Sequence, residues 1–488
     1  MASCGIIRRV VIKVQAFTNG IPIDARDQRI AGLEDQLRER DQVIAALREK
    51  VQQLEEELEQ VKRAGKRQAT PFARKKRAAK PKRPGRTKGQ GKFSYRRKPA
   101  PEEVKEIKEA PLDDCPECGG SLSERKEHEQ FVVDIPPVEP EITRYVTYSG
   151  YCSCCQQRVR SRHPEQISEA TGAAGVVVGP RAKALAADMK HRLGLSYGKI
   201  CDLLNDAFGL RVSRSGWYQA DVRLADQAQP VYEKLVETLR DSVVVHVDET
   251  GWRIGTLSAW LWVFTNRETT VYTIRHSRGH EVVVDILGAE FAGVLNSDCF
   301  LAYDAKALND WLKQKCVGHL LRNLSEIEAS KTRGAVRFAR NVTALLREAL
   351  QLKAEKADLS AQTFGERAAA LEKRLDRLIH ADRRFTDPDN TRFAKRLRKH
   401  REHLLRFLYL DELDATNNLA ERQLRPAVIS RKTTGCNRVA QGAQAHSILA
   451  SVLATCHQRA IPILDFLVEL QRAVADPPSL GPPPPAPT

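Results

Sequence analysis

Val243-Val244-Val245-His246-Val247-Asp248 is the stretch of this chain that decides its fold class. Its run of β-branched residues predicts a buried strand with an aspartate at its end. A second short apolar segment, Val294 to Asn296, leads into Ser297-Asp298 in the same way. A carboxylate at the end of a strand is held by the rigid sheet while its oxygens face solvent. The two segments therefore predict an α/β domain with Asp248 and Asp298 at the rim of its sheet.

The sequence around these segments predicts the remaining elements of the domain. Trp260 to Thr265 and Thr270 to Ile274 are typical of hairpin strands. Sequence rich in Leu, Ala, Arg and Lys predicts helices from 306 to 411, and a final helical region spans 414 to 473. The tail at 474–488 is Pro-rich and is expected to be disordered.

Glu421, in the final helical region, is a third acid in a position suited to catalysis. Asn417 and Asn418 precede it by about one turn. Three carboxylates that converge from two strands and a helix can hold two divalent ions ~3.5–4 Å apart, one to activate the attacking water or hydroxyl and one to stabilise the leaving oxygen. Oxygen ligands favour magnesium or manganese over zinc. Placement alone does not single these acids out, because the chain has 62 acidic residues.

Composition and charge limit the class of protein. The 488 residues, 42% of them hydrophobic, predict about two to four units with a sizeable core. The sequence has no membrane-length apolar run and no proper signal peptide, so we expect a cytoplasmic protein that does not enter a membrane. The net charge of +17 favours a polyanion partner, with DNA, RNA and an anionic membrane surface as candidates, although a basic tail alone gives the same value. The 11 cysteines favour metal ligands and buried thiols over disulfides.

Residues 28–63 carry a heptad pattern, in which apolar residues recur three and four positions apart and Arg40 occupies one seam position. This pattern predicts a coiled coil through which the chain forms a homo-oligomer. The alternative is a single long helix that packs on its own protein. Residues 1–27 form an N-terminal arm that we leave unassigned.

Residues 64–111 begin as a strongly basic segment that includes Arg74, Lys75, Lys76 and Arg77. Proline and glycine interrupt it repeatedly, so we expect a disordered linker. Beside DNA it would neutralise phosphates. A solvated basic linker without a binding role is the alternative.

Residues 112–165 predict a compact zinc-binding module. Two short cysteine turns, or knuckles, lie at 115–118 and 152–155. They supply four thiolates, Cys115, Cys118, Cys152 and Cys155, which can close a tetrahedral structural zinc site. Cys154 is the alternative to Cys155. Alternating segments at 130–135 and 143–148 lie between the knuckles.

Residues 170–240 predict a small helical domain. Gly209 is expected to end one helix and Ser213 to cap a short second one, an arrangement similar to a helix-turn-helix that reads DNA. Any small helical bundle has the same pattern.

Five motifs that follow one another in the chain resemble the transposases of the bacterial insertion sequence 66 family. They are Asp248-Glu249-Thr250-Gly251-Trp252-Arg253, Trp260-Leu261-Trp262-Val263-Phe264, Ser297-Asp298-Cys299-Phe300-Leu301-Ala302-Tyr303-Asp304, Cys316-Val317-Gly318-His319-Leu320-Leu321-Arg322-Asn323, and Asn417-Asn418-Leu419-Ala420-Glu421-Arg422 through Arg431-Lys432. The resemblance spans residues 28 to 473. It implies an RNase H-like catalytic domain at 241–473 with a helical insertion at 324–411, and a DDE triad of Asp248, Asp298 and Glu421.

The resemblance also implies roles for the residues around the triad. The expected DNA contacts in the final helical region are Arg422, Arg425, Arg431 and Lys432, with ordinary helix-surface charge as the alternative. Cys316 and His319 match a Cys-x-x-His signature of such transposases, and with Asn418 they are expected to support the site. Accessory proteins of the same element are implied partners. The family commonly has Gly-Tyr where this chain has Cys299-Phe300, and Asp304 is the alternative second ligand.

The leading functional prediction is therefore a transposase that cleaves element ends and transfers the strand to target DNA. One alternative is a DNA-binding regulator with a zinc ribbon, a helix-turn-helix and an inactive nuclease domain. Another is an RNase H-like nuclease that acts on branched DNA or RNA hybrids.

Overall fold

The computed structural model describes residues 29–47, 96–124, 126–473 and 476–481, and the chain divides into two compact units at Tyr95. In the first unit, residues 29–47 are helical and the apolar heptad positions are exposed. The coiled coil remains a prediction. Its second half and the basic run at 74–77 lie outside the described residues.

The cysteine-rich region at the start of the second unit contains one hairpin. Strands β1 (Ser149–Cys152) and β2 (Gln157–Arg160) pair in antiparallel register around the second knuckle. The first knuckle is closed by a bridge between Asp114 and Ser121. The alternating segments at 130–135 and 143–148 form no strands, and most of their apolar side chains are exposed: Val132 is 81% exposed.

Three helices follow: α1 (Pro180–His191), α2 (Tyr197–Phe208) and α3 (Arg214–Arg240). Gly209 ends α2 with φ at +65°, and the Ser213 hydroxyl caps α3 by accepting the amide of Gly216, as predicted. Helix α3 has 27 residues, however, and is not the short second helix expected. Its apolar face continues through Leu224, Leu235 and Leu239 into the main hydrophobic core, so this region shares a core with the sheet.

A five-stranded mixed sheet forms the centre of the unit, in the order β5-β4-β3-β6-β7. Strands β3, β4 and β5 are antiparallel neighbours, and β6 and β7 run parallel to β3. The strands are β3 (Val244–Ile254), β4 (Leu257–Thr265), β5 (Thr270–Arg275), β6 (Val294–Ser297) and β7 (Leu312–Lys315). The first four confirm the predicted strands.

Two features of the sheet differ from the prediction. Strand β3 continues past Asp248 because β4 pairs with it as far as Ile254, so Asp248 lies inside a strand. Its parallel pairing with β6 stops at His246, which leaves one edge of β3 open beside the acid. Strand β7 lies in sequence predicted to be helical. Its polar residues are buried and paired, so no apolar alternation reveals it: Gln314 bonds to the backbone of Leu404 and Phe407.

Helices enclose the sheet and form a second core beside it. The described helices of this half are α4 (Glu281–Leu287), α5 (Val317–Ser330), α6 (Val336–Ala354), α7 (Ala361–Ile379), α8 (Pro388–Lys399), α9 (Asn418–Thr434), α10 (Ala440–Gln458) and α11 (Ile463–Arg472). Helices α5 to α8 supply most of a second hydrophobic cluster, which also includes Val244 of β3, Val294 of β6 and side chains at 404–413. Helix α9 packs on β3 and β4. None of the helices in the described ranges is long and apolar enough to cross a bilayer.

Candidate functional site

The three predicted acids come together on one side of the sheet. Asp248 lies in β3, Asp298 directly follows the neighbouring β6, and Glu421 is in the first turn of α9, which packs on β3. Burial, followed by the negative charge of Glu249, Asp298 and Glu421, raises the pKa of Asp248 to about 7, against the hydrogen bond from the amide of Glu249. Asp298 and Glu421 are therefore close enough to Asp248 for their charges to disfavour its ionised form.

This crowding of carboxylates is suited to a divalent cation. A cation would offset the mutual repulsion, and carboxylate oxygens are the donors that magnesium prefers. The set of Asp248, Asp298 and Glu421 therefore fits the predicted ions by its chemistry. Among the described residues, however, these three do not form a group whose ligand atoms all lie within 4.8 Å.

Glu249 has a different role from its neighbour Asp248, because successive residues of a strand face opposite ways. Its side chain is 2% exposed, and Arg278 donates two hydrogen bonds of 3.0 and 2.8 Å to its Oε1. The hydroxyl of Tyr303 donates to its other oxygen. Glu249 thus anchors the far side of the sheet to the segment that follows Asp298.

Arg278 is a site residue that the sequence interpretation missed. Its guanidinium lies 4.3 Å from the ring centre of Trp260 and 3.9 Å from that of Phe300. The amide of Phe300 in turn donates to Asp298 Oδ1 at 2.8 Å. Arg278 therefore steadies the backbone that orients Asp298. Phe300 is the aromatic residue that follows the second aspartate, but no pattern in the sequence pairs it with residue 278.

Asp304, the alternative second ligand, is held by cations of the chain itself. Lys315 Nζ lies 2.9 Å and Lys399 Nζ 2.7 Å from its carboxylate, and His400 lies 3.5 Å away. Burial opposes ionisation, but the hydrogen bond from Lys399 and the charge of Lys315 lower the pKa of Asp304 overall. Lys315 also donates to the carbonyl of Asp298 at 3.2 Å. These contacts favour a structural role for Asp304.

Asn417 fixes the start of α9 against the sheet. It is fully buried, and its side-chain amide donates to the carbonyl of Val247 at 2.7 Å. Its Oδ1 lies 3.2 Å from His246 Nδ1, and its backbone amide donates to Cys316 Sγ at 3.1 Å. The predicted supporting residue, Asn418, is exposed. The sequence places both asparagines one turn before Glu421, and burial distinguishes them.

The basic residues of α9 fall into two groups. Arg422, Arg425 and Lys432 are exposed, as phosphate contacts must be. Arg431 is half-buried and donates to Thr250 Oγ1 at 3.0 Å and to the carbonyl of Gly251. Arg431 therefore ties α9 to β3.

Cys316 and His319, at the start of α5, approach Glu421. The ligand atoms of these three residues all lie within 4.8 Å of one another, and His319 Nε2 is 3.6 Å from Glu421 Oε1. In the part of the chain that the structure describes, this is the group arranged closely enough to hold a metal ion. The four thiols of the knuckles are not brought together to this degree.

Each knuckle is nevertheless prepared to present a thiolate. Hydrogen bonds from the backbone of Glu117 and Cys118 lower the pKa of Cys115. Hydrogen bonds from the backbone and thiol of Cys155, ahead of the backbone of Cys154, lower the pKa of Cys152. Thiolates are the form that zinc binds, so the donors fit a structural zinc and favour Cys155 over Cys154.

Two family models match separate regions of the chain. The family model described as "Transposase IS66 family" matches residues 175–445. The model described as "zinc-finger binding domain of transposase IS66" matches residues 113–156. A curated relative, "Uncharacterized protein y4qI" from Sinorhizobium fredii (strain NBRC 101917 / NGR234), is 26% identical over 293 residues. That match covers 55% of this chain and 54% of the relative, so it spans about half the length of each.

Proposed function

The chain belongs to the IS66 family of transposases, and from this membership we propose that it is a DNA transposase that cleaves the ends of its element and transfers the strand to target DNA. The observation that carries the proposal is the convergence of Asp248, Asp298 and Glu421: burial, and then the charges of Glu249, Asp298 and Glu421, raise the pKa of Asp248 to about 7. Carboxylates gathered in this way beside a central strand form a site suited to divalent cations.

We propose that the catalytic domain has an RNase H-like fold. The strand order β5-β4-β3-β6-β7 supports this, with three antiparallel strands followed by two strands parallel to the first. In this arrangement β3 is the central strand, and its Asp248 lies beside Asp298, which follows β6. Helix α9 follows the helical insertion in the chain and packs on β3, which brings Glu421 to the sheet.

Asp248, Asp298 and Glu421 would hold two magnesium or manganese ions. Bound there, the ions supply an activated nucleophile and stabilisation of the leaving oxygen. The other residues of the site would hold these ligands in position. Asn417 fixes the distance of Glu421 from β3, and Arg278 and Lys315 fix the backbone at Asp298. The exposed Arg422, Arg425 and Lys432 lie on the same helix as Glu421 and are placed to contact phosphates.

The remaining regions would bind DNA and bring chains together. The zinc module and the α2–α3 pair are proposed to hold element ends, together with the basic segment that includes residues 74–77. The exposed heptad positions of helix 29–47 suit a partner helix, so we propose a homo-oligomer through a coiled coil. Accessory proteins of the element are proposed partners.

The test is strand cleavage and strand transfer on DNA that carries the element ends, with magnesium or manganese. Asp248→Asn and Glu421→Gln should each lower cleavage at least about 100-fold. The matched controls are Asp310→Asn and Glu412→Gln, which alter exposed acids and should leave cleavage unchanged. Undiminished cleavage in both site variants would overturn the proposal. Wild-type protein that binds the ends but nicks nothing would instead indicate a DNA-binding regulator, and a preference for junctions would indicate a branched-DNA nuclease.

A further inference from the structure

The starts of two helices place three different metal-binding groups side by side. Cys316 precedes the first residue of α5, His319 lies in its first turn, and Glu421 lies in the first turn of α9. Their ligand atoms all lie within 4.8 Å of one another, and His319 Nε2 is 3.6 Å from Glu421 Oε1. The cluster adjoins the carboxylate site but differs from it in chemistry.

A thiolate, an imidazole and a carboxylate together favour a zinc-class ion over magnesium. Magnesium prefers oxygen donors, whereas zinc accepts sulfur, nitrogen and oxygen in tetrahedral geometry. For a nitrogen and an oxygen ligand ~2.0–2.2 Å from a tetrahedral zinc ion, the two ligand atoms lie roughly 3.3–3.5 Å apart. The separation of 3.6 Å between His319 Nε2 and Glu421 Oε1 is close to this range.

The backbone around the cluster is already fixed. The amide of Cys316 donates to the carbonyl of Ser297 at 2.8 Å, and the amide of Val317 donates to that of Ala415 at 2.9 Å. Cys316 Sγ accepts the amide of Asn417 at 3.1 Å. The two helix starts are therefore pinned to each other, so ligand binding needs little rearrangement of the backbone.

His319 adds a second sign that the cluster is incomplete by itself. Its Nδ1 is buried and has no hydrogen-bond partner within the described residues. A buried polar atom without a partner is costly, and such atoms are uncommon away from functional sites. The imidazole already has the Cys316 side chain as a hydrogen-bond partner, and Nε2 is the ring nitrogen that faces Glu421.

We propose that Cys316, His319 and Glu421 form a binding site for a zinc-class divalent cation, distinct from the four-cysteine module and with one coordination position left open. Three protein ligands with an open fourth position are typical of an exchangeable zinc. Because Glu421 is shared, an ion held here withdraws that carboxylate from the triad. Zinc is thus an inhibitor of the magnesium-dependent reaction, a consequence that rests on the proposed function, whereas the binding site does not.

The binding test uses the full-length chain, loaded with zinc in the cysteine module and titrated with Co²⁺. The wild type should bind one more Co²⁺ per chain than Cys316→Ser, with a thiolate-to-cobalt absorption band that the variant lacks. Cys201→Ser, which alters a cysteine remote from the cluster, should keep the band. His319→Gln and Glu421→Gln should weaken binding at least about 10-fold.

Equal cobalt stoichiometry and equal absorption in wild type and Cys316→Ser would overturn the proposal. Because Cys316 also accepts a backbone amide, His319→Gln, which leaves the proposed triad intact, serves as the second variant, and thermal unfolding checks that each protein is folded. Inhibition is then measured as the ratio of cleavage with and without added zinc at fixed excess magnesium. A ratio near one in the wild type contradicts the inhibitory role. A protein without any cleavage would refute the proposed function while the cobalt result still decides the binding site.

Discussion

The side-chain amide of Asn417 donates a hydrogen bond of 2.7 Å to the main-chain carbonyl of Val247, the residue before Asp248. One bond thus joins the start of the helix that carries Glu421 to the strand that carries the first acid. Since Asn417 is fully buried, water does not compete for this bond. The distance between two of the three proposed ligands therefore depends on a residue that binds no ion.

Asn417→Ala should weaken both the fold and the reaction. Removing the buried amide leaves its partners unsatisfied, which should lower the free energy of unfolding by about 1–3 kcal/mol. Cleavage should fall more steeply than stability because Glu421 loses its position. Asn418→Ala alters an exposed neighbour and is the matched control. Urea unfolding and strand cleavage measure the two effects, and equal behaviour of the two variants would contradict this role.

Asp304→Asn should destabilise the fold because it leaves the buried Lys315 without its carboxylate partner. Lys315 is fully buried, and Asp304 is the carboxylate that neutralises it. Removing one partner of a buried pair costs about 3–5 kcal/mol, because the other charge stays buried and uncompensated. Thermal unfolding should show this loss. The double variant with Lys315→Met should recover part of it, whereas a metal-binding role for Asp304 predicts no such recovery.

Substitutions of the basic residues of α9 should differ in their effect on the salt dependence of DNA binding. Arg422→Ala and Arg425→Ala remove exposed charges, so each should reduce the slope of log affinity against log salt by about one if the residue meets a phosphate. Arg431→Ala breaks contacts with Thr250 and Gly251, so it should lower stability and leave the slope nearly unchanged. Electrophoretic mobility shifts at several salt concentrations measure the slopes. A smaller slope for Arg431→Ala alone would reverse this assignment.

The fourth ligand of the cysteine module can be decided by a pair of single substitutions. Cys155→Ser should lower the zinc content by one ion per chain, because Cys155 is the residue whose thiol meets Cys152. Cys154→Ser should retain the ion. Colorimetric zinc release from the denatured protein measures both. Loss of zinc from Cys154→Ser but not from Cys155→Ser would exchange their roles.

Acid should destabilise the helical insertion through His400 and His403. Burial, against the attraction of Asp304, lowers the pKa of His400 to about 4, and burial together with Lys313 and Lys315 lowers that of His403 to about 4. Between about pH 6.5 and pH 4, the two histidines therefore bind protons in the unfolded chain but stay neutral in the folded one. The free energy of unfolding should fall as the pH drops from about 6.5 to about 4 and change little through these groups at higher pH. Urea unfolding of the wild type and of the double variant His400→Gln and His403→Gln should show a shallower fall in the variant.

The sequence predicts those parts of this structure that repeat a pattern. The β-branched run at 243–247, the hairpin at 260–274 and the short apolar segment at 294–296 predict four strands, and Gly209 marks a helix end because its φ of +65° suits glycine. Strand β7 escapes prediction because its buried residues are lysine and glutamine, so it lacks the apolar pattern of a buried strand. Their partners lie elsewhere in the chain: Asp304 for Lys315, and the backbone of residues 404 and 407 for Gln314. The local sequence pattern does not show that Asn417, and not Asn418, is the buried asparagine, nor does it show the role of Arg278. Both depend on contacts between residues that are far apart in the sequence.

The helical insertion also determines when the site can exist. Asp298 and Glu421 are separated by more than a hundred residues, and α9 reaches β3 only after α5 to α8 have been made. At ~5–20 residues per second of synthesis, roughly 6–25 s pass between the emergence of these two acids from the ribosome. A nascent chain that has already formed its sheet is still without its last carboxylate during that interval. A truncated product that ends within the insertion would carry the cysteine module and the two aspartates but would lack the third acid of the proposed triad.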